Sequence, residues 1–85
     1  MRFGFTPNGW EDYLFWQGTN RATLKRINRL LDEVARDPFA GIGKPEQLRH
    51  ALAGAWSRRI NEGHRLVYLA EGYDIVILQA RYHYH

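Results

Sequence analysis

Two periodicities divide the chain. Between Arg2 and Phe5, apolar Phe3 and Phe5 fall on one side, which predicts a short strand. Thr6-Pro7 then supplies an N-cap followed by proline at the first helical position. A first helix is expected from Pro7 to Gln17, with Trp10, Tyr13, Leu14 and Gln17 at helical spacing and Gly18 as its stop. Asn20 can cap a second helix reaching Arg36. Its Leu24, Ile27, Leu31 and Val34 make a core-facing stripe, with Arg21, Lys25, Arg26 and Arg29 on the other side. Asp37-Pro38 ends it, because the residue before proline avoids the α region. Phe39 to Gln47 holds two glycines and a proline and is expected to be loop.

From Ala55 the period becomes strand-like. Trp56, Arg58 and Ile60 alternate with Ser57, Arg59 and Asn61. Asn61-Glu62-Gly63 has turn chemistry, and His64 to Ala70 is the next strand. A second turn at Glu71 to Asp74 leads into Ile75-Val76-Ile77-Leu78, apolar on both faces and therefore central or covered. Short turns make these three strands an antiparallel meander, with the first strand pairing at an edge. The expectation is a single α+β domain spanning 1–85: a small antiparallel sheet with two N-terminal helices on one face, in the order βααβββ.

Composition narrows the partners. With no cysteine, neither a disulfide framework nor a thiolate metal site is available. No apolar run approaches the ~18 residues of a membrane span, so a soluble, cytoplasmic protein is expected. Net charge is +3, and phosphate contacts from Arg and Lys dominate nucleic-acid affinity, so a polyanion partner fits. Gly41-x-Gly43-Lys44 lacks the spacing and the Ser/Thr of a nucleotide-binding P-loop. His50, His64, His83 and His85 lack ligand-like spacing, and no metal or cofactor is expected.

Alternation puts Arg59 on a strand face with Ser57 and Asn61, and Arg65 lies just past the turn on the neighbouring strand. The two guanidiniums can face one concave surface with an anion between them, or each can pair with Glu62, Glu71 or Asp74.

Four motifs in order now carry a resemblance. Lys44-Pro45-Glu46-x-Leu48, Gly54-x-Trp56-Ser57-Arg58-Arg59-Ile60, His64-Arg65-Leu66-Val67-Tyr68 and Arg81-Tyr82-His83-Tyr84 together resemble the YoeB toxin family of the RelE/ParE superfamily. The resemblance implies a RelE/ParE-like, microbial-RNase-like fold and ribosome-dependent cleavage of mRNA in the A site. It also implies neutralisation by a YefM-type antitoxin, and homodimer formation. Carried onto this chain, it makes Glu46 the general base, Arg65 the transition-state cation and His83 the general acid. Tyr84 positions the substrate or the acid, and Lys44, Arg49 and Arg59 bind RNA phosphate. Relatives often have lysine where Arg49 stands, and His85 extends this chain one residue past the tyrosine. Two other readings stand beside this one: a ParE-like toxin that binds gyrase and cuts nothing, and a basic nucleic-acid-binding module.

Overall fold

The computed structural model describes residues 2–49 and 54–82. Strand β1 (Arg2–Phe5) leads into helices α1 (Pro7–Thr19) and α2 (Arg21–Arg36). Four strands follow: β2 (Glu46–Gln47), β3 (Trp56–Asn61), β4 (His64–Glu71) and β5 (Asp74–Gln79). They form one sheet in the order β1-β5-β4-β3-β2. The α+β class, the meander and the edge position of β1 all match expectation, but the sheet is mixed. β1 runs parallel to β5, pairing Arg2 with Asp74 and Phe5 with Ile77. Side-chain alternation is the same in parallel and antiparallel strands, so the sequence pattern left direction open. The expected loop also holds an element, because Glu46 and Gln47 pair antiparallel with Ser57 and Trp56.

Both helix caps are made by the predicted residues. Thr6 accepts from the Gly9 N–H at 3.1 Å, and Asn20 accepts from Thr23 at 3.0 Å. Helix α1 passes through Gly18 and ends at Asn20, whose extended backbone (φ −149°) closes one helix and opens the next. The buried face of α1 is not the predicted one. Trp10 is 48% exposed and Leu14 42%, while Gly9, Asp12 and Trp16 are buried. The reason is close packing on the end of β5. A Cβ on Gly9 would lie 2.2 Å from the Ile77 carbonyl oxygen. Buried Asp12 accepts the Ala80 N–H at 3.0 Å, and Trp16 donates its indole N–H to the Ala80 carbonyl at 2.7 Å. These bonds satisfy polar groups that would otherwise be costly to bury.

Helix α2 buries Ile27, Leu30 and Val34 completely, with Leu24 and Leu31 packed at the margin. Together with Trp16 they cover Ile60, Leu66, Tyr68, Ile75 and Ile77. Each such aliphatic side chain contributes about 1.5–3 kcal/mol on burial. Alternation sends Val67, Leu69 and Leu78 to the other face of the sheet, where they pack with Leu48 and Ala55. Among the described residues, neither α1 nor α2 contributes to that second cluster. One sheet face therefore carries α1 and α2, and the other carries the candidate site residues.

Candidate functional site

Register brings Glu46, Arg59 and Arg65 onto the face of the sheet opposite α1 and α2. Glu46 pairs with Ser57, Ser57 with Val67, and Arg59 directly with Arg65. All five thus project from the same side. The Arg65 guanidinium donates through Nε to the Ser57 hydroxyl at 3.1 Å and lies 3.5 Å through Nη2 from Glu46 Oε2. The Arg65 side chain is only 16% exposed, whereas that of Glu46 is 61% exposed. A sheltered, braced cation thus sits beside an exposed carboxylate. Glu46 takes the position on Arg65 that Glu62, Glu71 or Asp74 might have filled, and Asp74 instead pairs with Arg2 at 3.0 Å.

Arg59 is exposed, and the carbonyl of Arg59 accepts from Arg26 at 3.1 Å. Part of the basic face of α2 is thereby committed to holding β3. Lys44 and Arg49 are exposed on either side of β2. No hydrogen bond or ion pair among the described residues ties either to Glu46 or Arg65. His83 and Tyr84, the expected acid and its aromatic partner, lie outside the described residues, as do His50 and His85. Among the described residues no group of three or more His, Asp or Glu side chains could hold a metal.

Three residues that support the site escaped the sequence reading. Ser57 is fully buried and fixes the angle of Arg65. Arg58 is fully buried and donates to the carbonyls of Asp37, Ala40 and Ile42 at 2.5, 2.9 and 3.1 Å, and to the Tyr68 hydroxyl at 3.1 Å. Tyr68 in turn donates to the Pro38 carbonyl at 2.6 Å. Burial holds the Tyr68 phenol above its usual value of 10, with the Arg58 hydrogen bond working against that shift. This network binds the connection after α2 to the sheet, and that connection delivers Lys44 and Glu46. Gly43 (φ 85°) lies against Leu30 and the Arg58 stem, and its carbonyl accepts from Arg59 at 2.6 Å. The signal in the sequence was an arginine at core parity between Trp56 and Ile60. His64 is the third: its Nδ1 accepts from the Tyr82 N–H at 2.6 Å.

A family model described as a YoeB-like toxin of bacterial type II toxin–antitoxin systems matches residues 5–84. Toxin YoeB of Streptomyces coelicolor is 57% identical over 84 residues, covering 99% of this chain and all of that protein. Among solved structures, a YoeB/ParE toxin from Agrobacterium tumefaciens superposes with a TM-score of 0.95 at 44% identity, over 99% of this chain and all of that one. A YoeB–YefM complex and a YoeB dimer, both from Staphylococcus aureus, each match with a TM-score of 0.91 at 44% and 42% identity, over 99% of this chain and 98% of theirs. The match runs across nearly the whole chain in sequence and in fold, and the chain belongs to the YoeB-like toxin family of bacterial type II toxin–antitoxin systems.

Proposed function

We propose that this toxin is a ribosome-dependent mRNA endonuclease whose own side chains carry the proton transfers. The observation that carries the reading is the Arg65 guanidinium, braced by Ser57 and 3.5 Å from Glu46 on the sheet face opposite α1 and α2. Glu46 takes the proton from a ribose 2′-hydroxyl, and the 2′-oxygen attacks the adjacent phosphorus. The bond from phosphorus to the 5′-oxygen breaks, and His83 gives that leaving oxygen its proton. The products are a 2′,3′-cyclic phosphate and a free 5′-hydroxyl. Arg65 balances the charge that builds on the phosphoryl oxygens between those steps. Tyr84 positions the substrate or the acid, and Lys44, Arg49 and Arg59 hold flanking phosphates.

The resting ion pair fits this sequence of events. A phosphate entering the site competes with Glu46 for the Arg65 donors, which frees the carboxylate to act as base only when RNA is bound. Bidentate Arg–phosphate contacts are strong enough for that exchange. A chain of this size offers little surface to grip and bend a strand, so the ribosome supplies the positioning that dominates such rate enhancements. A ribosomal target places the toxin in the cytoplasm. The S. aureus neighbours support a YefM-type antitoxin as the neutralising partner and a homodimer as an available state.

The test compares single-turnover cleavage of one mRNA, free and ribosome-bound, by wild type and Glu46→Gln. Cleavage that needs the ribosome and falls about 10²–10⁴-fold in the variant, with ribosome binding retained, is the expected result. Equal rates with and without ribosomes refute ribosome dependence. No cleavage at all, together with gyrase inhibition, replaces the nuclease by a ParE-like inhibitor.

A further inference from the structure

Beyond β5, the backbone is held at successive points by side chains from other elements. Ala80 is gripped on both sides by α1, its N–H by Asp12 at 3.0 Å and its carbonyl by the Trp16 indole at 2.7 Å. The Gln79 amide donates to the Arg81 carbonyl at 3.0 Å, and the Arg81 guanidinium lies 3.6 Å from the centroid of the Phe15 ring. Tyr82, at φ 57°, is gripped on both sides by β4. Its N–H donates to His64 Nδ1 at 2.6 Å, and its carbonyl accepts from the Arg65 N–H at 3.0 Å. The Trp16 indole stands edge-on to the His64 ring at 4.8 Å, so the two grips share a wall. Residue 83 follows directly in the chain.

We infer that His64 is a positioning residue: through Nδ1 it fixes the Tyr82 peptide, which immediately precedes His83, the acid of the proposed mechanism. A backbone N–H can only donate, so Nδ1 must carry a lone pair and the ring must be the neutral Nε2–H tautomer. The left-handed φ of Tyr82 is costly for a residue with a Cβ and persists only where its surroundings impose it. His64 and Arg65 are adjacent. The same stretch of β4 therefore carries the proposed transition-state cation and the anchor of the peptide that precedes the proposed acid, residues that lie far apart in sequence. This inference rests on the nuclease reading for its consequence, though not for the contact itself.

The experiment measures single-turnover cleavage of ribosome-bound mRNA, ribosome binding and Tyr82 amide exchange for wild type, His64→Ala, His64→Gln and His64→Asn. Asparagine places Oδ1 at the same number of bonds from Cα as Nδ1, whereas glutamine reaches one bond further. His64→Ala and His64→Gln are expected to lose up to about 100-fold in cleavage rate, as small misplacements of a reacting group do. Ribosome binding stays, Tyr82 loses protection, and core amides such as Ile27 and Leu66 keep theirs. His64→Asn restores most of both losses. Wild-type cleavage by His64→Ala, or an Asn variant as impaired as the Ala one, overturns the proposal. If wild type itself fails to cleave, the nuclease reading falls, and amide exchange alone decides the clamp. Equal Tyr82 protection in wild type and His64→Ala then refutes it.

Discussion

Arg58 is a buried cation with no ion pair among the described residues. Its charge is spread over three backbone carbonyls and the Tyr68 hydroxyl. A planar fork of donors can meet acceptors that diverge in this way, and an ammonium cannot. Arg58→Lys is expected to destabilise the fold by about 2–3 kcal/mol, read as a lower urea midpoint, because it leaves buried carbonyls unpaired. Tyr68 gives a pH signature. Its folded pKa is raised, so the unfolded chain loses the phenolic proton first as pH climbs past the ordinary value of 10. The unfolded state then binds fewer protons, and stability falls with rising pH. The contribution is intact below pH 10 and is lost toward the raised value. Melting temperature should fall more steeply in alkali for wild type than for Tyr68→Phe.

Helix α1 shows how one residue sets the position of a whole element. Its approach to β5 leaves no room for a side chain at Gly9, while nothing lies within 4 Å of a Cβ at Gly18. Gly9→Ala should push the helix off Ile77 and strain the Asp12 and Trp16 bonds to Ala80, costing about 1–3 kcal/mol. Gly18→Ala, within the last turn of the same helix, should stabilise by about 0.5–1 kcal/mol. Chemical denaturation of the two variants checks both signs. The same contrast explains the misjudged face of α1. Spacing drew attention to Trp10, Tyr13 and Leu14, yet Trp10 stacks on Tyr13 at 5.9 Å and meets Phe5 edge-on at 5.3 Å, near the surface. The face that docks carries a glycine, a carboxylate and an indole, whose fitness comes from close approach and hydrogen bonding. Hydropathy has no term for either. Helix α2 was legible because its face is purely aliphatic, though Leu30 lay one position from the expected stripe.

At the scale of the molecule, α1 and α2 cover one face of the sheet, and the candidate site residues project from the other. Glu46, Arg59 and Arg65 all project from that second face, and an acidic partner that folds over it would bury the exposed Glu46 and Arg59. By mass action such a partner at 100 times its dissociation constant adds about 2.7 kcal/mol. For a domain of this size that is a rise of about 10 °C or more in melting temperature. Thermal melts with and without a YefM-type antitoxin check this, and an unchanged melt would remove the linkage.

Local chemistry, read from the residues alone, settled the helix caps at Thr6 and Asn20, the α2 stop at Asp37-Pro38, the two tight turns of the meander and the family. Each depends on neighbours in the chain, and so each is written in short windows of sequence. Tertiary structure decided the parallel pairing of β1 with β5, the strand at Glu46, the 3.5 Å meeting of Glu46 with Arg65, and the roles of Arg58 and His64. Those contacts join residues 9 to 72 positions apart. Whether such groups meet depends on how helices and strands pack, and that is set by the shape of the whole core.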